Sequence, residues 1–89
     1  MAKKTVLFKS DERRNLEDVA EFFRQLADKL EDGEIVLRRG TDEVKLKLPK
    51  TVDFEVEAEE QPKKRGVKQG IEIEIEWYEG ESGDSVTLG

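Results

Sequence analysis

From Val52 to Glu59, and again from Ile71 to Trp77, apolar and acidic residues alternate without a break. Successive side chains of a β-strand point to opposite faces. Val52, Phe54, Val56 and Ala58 therefore share one face, and Asp53, Glu55, Glu57 and Glu59 share the other. The second stretch sets Ile71, Ile73, Ile75 and Trp77 against Glu72, Glu74 and Glu76. Such patterning specifies a sheet with one dry face and one wet face. Something has to cover the dry face.

A helix upstream has the shape for that task. On a helical wheel Leu16, Val19, Ala20, Phe22, Phe23, Leu26, Ala27 and Leu30 fall in one arc. Glu17, Asp18, Glu21, Arg24, Gln25, Asp28 and Lys29 fill the opposite one, the signature of an amphipathic helix lying on a sheet. Asn15 stands at the N-cap with Asp18 three residues on, a weaker version of the capping box. Gly33 stands where a left-handed C-cap residue is needed.

Three further segments read as strands: Thr5 to Lys9, Glu34 to Arg39 with Ile35 and Leu37 inward, and Glu43 to Leu48 with Val44, Leu46 and Leu48 inward. Gly40-Thr41-Asp42 makes a tight connection, and Pro49 ends the strand that follows it. A polar loop containing Pro62, Gly66 and Gly70 separates the two alternating stretches. The expected fold class is α+β, with one amphipathic helix packed on a five-stranded, mainly antiparallel sheet in the order β-α-β-β-β-β. Short connections make the last four strands a meander, and the charges on Lys3 and Lys9 favour placing the first strand beside the acidic fifth. One domain is expected over residues 1–79, followed by a flexible acidic Gly/Ser tail at 80–89. Phe23, Leu26, Leu46, Phe54 and Ile73 are the expected buried core.

Composition narrows the chemistry. The 89 residues include no histidine and no cysteine. That removes imidazole triads, thiol catalysis, disulfides and the usual Cys/His zinc sites. No apolar run approaches membrane-spanning length, and Met-Ala-Lys-Lys leads directly into the first strand. A cytoplasmic protein without membrane contact is expected. The net charge of −6 is uneven: residues 1–50 carry 12 basic and 11 acidic side chains, residues 51–89 carry 4 and 11. Nucleic acid would meet a repelling field over the second half.

Taken in order, these segments resemble a known family. A leading strand with a Leu-Phe pair precedes a helix reading Val19 to Gly33; then come Val44 to Pro49, Val52 to Glu57, and Ile71 to Trp77. Together they are similar to the amphi-Trp domain, a family of small prokaryotic proteins. The resemblance spans roughly Thr5 to Tyr78 and implies the fold. It implies no activity and no site residue.

Two constellations qualify as candidate sites. Asp53, Glu55, Glu57, Glu72, Glu74 and Glu76 form an acidic face, with same-face neighbours about 6.5–7 Å apart. Paired carboxylates at such a spacing serve hydrolases, but only with a pocket and a raised pKa on one member. Calcium loops need a glycine turn among their acids, a pattern missing here. Mutual repulsion raises the pKa of carboxylates gathered in this way. The second constellation is the basic loop of Lys63, Lys64, Arg65 and Lys68. No aromatic residue interleaves it to stack bases, so its charges are expected to turn back toward the acidic strands. Trp77 continues the inward isoleucine series and belongs at the core edge, whereas Tyr78 points to the wet side. The expected function is a non-catalytic protein-interaction or self-association module, with a protein partner or homodimer and no cofactor and no metal. The alternatives are a metal-binding protein or hydrolase using the carboxylate face, and nucleic-acid contact through the loop at 63–68.

Overall fold

The computed structural model describes residues 3–80. The chain forms two compact units, Met1–Leu48 and Pro49–Gly89. The first holds helix α1 (Leu16–Asp32) and strands β1 (Glu34–Arg39) and β2 (Asp42–Lys47); the second holds β3 (Asp53–Lys63) and β4 (Gly66–Glu76).

In the first unit α1 begins after Asn15, whose backbone is extended and whose carbonyl accepts the N–H of Val19 at 3.1 Å. The Asn15 side chain caps nothing; the acidic Glu17 and Asp18 of the first turn oppose the positive end of the helix dipole instead. Gly33 ends α1 at φ 77°, a conformation that costs a residue with a Cβ about 1 kcal/mol or more. Its carbonyl accepts the N–H of Leu48 at 2.9 Å, which ties the end of β2 to the end of the helix. Between them β1 and β2 pair antiparallel, with Ile35 opposite Leu46 and Leu37 opposite Val44 on the dry face. Arg38 and Glu43 face each other on the wet side and join Nε to Oε2 at 3.1 Å. Helix α1 packs on β1. Ile35 of β1, 8 % exposed, is the one buried apolar side chain among the described residues.

The second unit is a long antiparallel hairpin. Phe54 lies opposite Ile75, Val56 opposite Ile73 and Ala58 opposite Ile71, so the dry residues of both strands gather on one face as the alternation requires. The ladder continues past the expected loop to Pro62 opposite Val67 and Lys63 opposite Gly66, turning at Lys64-Arg65. Gly66 takes φ 129°, which a side chain would disfavour. Pro62 is accommodated because β3 has a hydrogen-bonding neighbour on one side only, leaving its missing N–H without consequence on the other.

Four expectations are corrected. Thr5 to Lys9 forms no strand: Val6, Leu7 and Phe8 are contiguous instead of alternating, and Val6 and Leu7 stay exposed. The sheet is therefore not five-stranded, and among the described residues Val6–Phe8 belong to no ladder, beside the acidic strand or elsewhere. The four strands do not make one meander but two two-stranded sheets, β1-β2 and β3-β4, because the Leu48–Val52 connection, with Pro49 in it, closes no hairpin turn. The polar stretch from Glu59 to Gly70 is ladder, not loop. Finally, Phe23, Phe54 and Ile73 are exposed, while Leu26 and Leu46 are half-buried. Two strands offer too little sheet to enclose them. The tail expected at 80–89 falls, beyond Gly80, outside the described residues.

Candidate functional site

All six acidic candidates lie on the wet face of the β3-β4 hairpin, and the register sets them directly opposite one another: Asp53 with Glu76, Glu55 with Glu74, Glu57 with Glu72. Facing side chains on adjacent strands hold their Cβ atoms about 4.5–5.5 Å apart. Three like-charged pairs in a row oppose the pairing that creates them, so the backbone ladder and the dry face must hold the hairpin together. All six side chains are exposed. Among the described residues no group of three or more acidic side chains is disposed to hold a metal ion.

Glu76 has its pKa raised above the ordinary 4.5. The first cause is a hydrogen bond to Glu74, which only a protonated carboxyl can donate; the negative charge of Glu74 comes next, with smaller contributions from desolvation, Asp53 and Glu55. A folded-state pKa above the unfolded one means that ionisation of Glu76 opposes folding. The penalty is present at neutral pH and fades as pH falls through the raised value, vanishing below 4.5. The unfolding midpoint in urea is therefore expected to hold or rise between pH 7 and mild acid. A steep fall over that interval would place the carboxylates in favourable pairs instead. Charge reversal offers a second check. Glu57→Lys, opposite Glu72, is expected to stabilise the hairpin by about 0.2–1 kcal/mol. A lower melting temperature for that variant would show that repulsion does not govern the ladder.

The four basic candidates sit at the other end of the same hairpin. Lys63, Lys64, Arg65 and Lys68 surround the turn with Gly66 and Val67 and line an open depression of about 680 Å³. Its walls are six consecutive residues of one turn, without an opposing surface. The ion pairs formed among the described residues are Arg14–Glu12, Arg24–Glu21 and Arg38–Glu43, none of them at this tip. About five residues of strand separate the two ends, roughly 17 Å.

The dry face of the hairpin is the feature that alternation located correctly and burial did not follow. Phe54 is 65 % exposed and Ile71 74 %, with Val56 and Ile73 also open; Ile75 and Trp77 are half-buried. Beyond Ala58 the same face continues through Glu60 and Gln69, whose Nε2 donates to Glu60 Oε2 at 3.4 Å, to Pro62 and Val67. That extension was present in the sequence as a continued alternation, masked by its polar composition. In the first unit the stripe of α1 is similarly open at Leu16, Phe22 and Phe23, the two phenylalanine rings meeting edge to face at 6.0 Å.

These features define a small α+β chain with open apolar surfaces on its hairpin and its helix among the described residues. The chain belongs to the Amphi-Trp domain family, whose model matches residues 1–89, its full length. No curated protein and no solved structure matches it. Among the described residues no helix is long and apolar enough to cross a membrane.

Proposed function

We propose that this chain is a non-catalytic module that works through protein contacts, by self-association or by docking to a partner. The observation that carries the reading is the dry face of the β3-β4 hairpin. It runs eleven residues along each strand and leaves Phe54, Val56, Ile71 and Ile73 exposed. A lone two-stranded hairpin is marginal in water, and exposed apolar faces of this extent mark interaction surfaces. The carboxylates lend solubility on the opposite side, where a flat exposed ladder offers no enclosure in which to activate a substrate. Photo-crosslinking from the two faces tests the reading. A benzoyl-phenylalanine at position 71, on the dry face, should yield adducts to polypeptide in host cells; the same group at position 72, on the wet face, should yield far fewer. Equal yields from both positions, or none from 71, would overturn it.

A further inference from the structure

We infer that the free edge of β4 pairs antiparallel with β4 of a second copy of this chain, joining two hairpins into one four-stranded sheet. The seam uses the hydrogen-bonding edge of the strand and not the dry face, so it goes beyond the reading above and involves residues of one unit only. In its sheet β4 has β3 on one side and, among the described residues, no strand on the other. That leaves an eleven-residue edge of backbone donors and acceptors, without a proline, open to another strand. A two-stranded hairpin is marginal alone, whereas three or more strands with an apolar face are independently stable. Strands β1 and β2, at six residues each, are too short to cover the edge, and β3 carries Pro62, which blunts its own outer edge. A second β4 matches the first in length.

The residues of β4 select this pairing one by one. When two copies of Gly66–Glu76 overlap over their full length, Ile71 meets Ile71 on the two-fold axis. On the dry side Val67 meets Ile75 and Gln69 meets Ile73; on the wet side Lys68 meets Glu74, Gly70 meets Glu72 and Gly66 meets Glu76. No two carboxylates stand directly opposite, in contrast to the three like-charged pairs within each hairpin. Glu72 has Glu72 of the other copy on one diagonal and Lys68 of that copy on the other. A slip of two residues in one direction would set Glu72 on Glu72; in the other it would leave the last two residues of each strand unpaired. Gly70 fits the same seam. It sits mid-strand without a positive φ, and a Cβ there would meet the Glu59 side chain no closer than 3.7 Å, an ordinary contact. Neither feature requires a glycine, which weakens the interior of a strand and commonly marks the close approach of another backbone. Across the seam it leaves room for the long Glu72 side chain of the other copy.

The test uses the full chain. Native mass spectrometry at micromolar concentration should give the mass of two copies. Lys68 and Glu74 stand about 20 Å apart along one strand, so NOEs between them can come only from a second copy. Those NOEs are expected, together with Ile71-to-Ile71 NOEs in a mixture of isotope-labelled and unlabelled chain. Lys68→Glu and Glu74→Lys each set like charges across the seam at both symmetric positions. Both side chains are exposed in the hairpin, so each variant should keep its fold by circular dichroism. Each should bind its own copy about tenfold more weakly than the original chain does. Mixed together, the two variants restore both opposite-charge pairs and should form a heterodimer as tight as the original pair. A single-copy mass would overturn the edge pairing and leave the dry face free to dock another protein. Two copies without Lys68-to-Glu74 NOEs, or NOEs from β4 to Glu34–Arg39 or Asp42–Lys47 in their place, would overturn it as well. So would variants that associate alone as tightly as they do when mixed.

Discussion

Replacing Ile35 with alanine is expected to lower the stability of the chain by about 2–5 kcal/mol. Removing a buried branched side chain forfeits its transfer free energy and leaves a space that a single helix on a two-stranded sheet has few neighbours to refill. A domain of this length holds only about 5–15 kcal/mol in all, so the loss is a large fraction of it. Urea unfolding followed by far-ultraviolet circular dichroism reads the effect, with Arg39→Ala, an exposed neighbour on the same strand, as the reference. If Ile35→Ala moved the midpoint no further than Arg39→Ala does, the helix would not be anchored through β1.

The second large effect belongs to the dry face. Ile73→Lys is expected to cost about 2–4 kcal/mol, because the lysine must either bury its charge against whatever covers the hairpin or leave the contact unmade. Glu72→Lys, one residue away on the wet face, is expected to be neutral or mildly stabilising, since it relieves the repulsion with Glu57. The contrast between adjacent positions carries the information. Equal responses at 72 and 73 would mean that the two faces of the hairpin are energetically alike, and that nothing lies on the dry one.

Alternation and capping made several elements legible. Gly33 marked the end of the helix because only a left-handed residue completes that turn. The Ile/Glu and Val/Glu series assigned Phe54, Val56, Ile73 and Ile75 to one face and the six carboxylates to the other, as the register has them. The same alternation says nothing about partners or extent. It could not show that Thr5 to Lys9 pairs with nothing, since a strand exists only through a neighbour's hydrogen bonds. It could not join Glu59–Lys63 to Gly66–Gly70 either, because glutamate, glutamine, lysine and glycine suggest a loop while the register continues. Burial was the least legible property. Phe23 and Phe54 have the right residue type and the right face, but burial depends on what is placed against them, and that is not a local property of sequence.

The central claim is that the dry face of the hairpin is a surface for protein contacts. The most direct measurement is the solvent exposure of the Val56, Ile71 and Ile73 methyls, read by paramagnetic relaxation from a soluble gadolinium chelate across a dilution series. The account predicts protected methyls at high concentration that become exposed on dilution, while the Ile35 methyls stay protected throughout. Protection of Val56, Ile71 and Ile73 that did not change with concentration, in a chain with the mass of one copy, would contradict it.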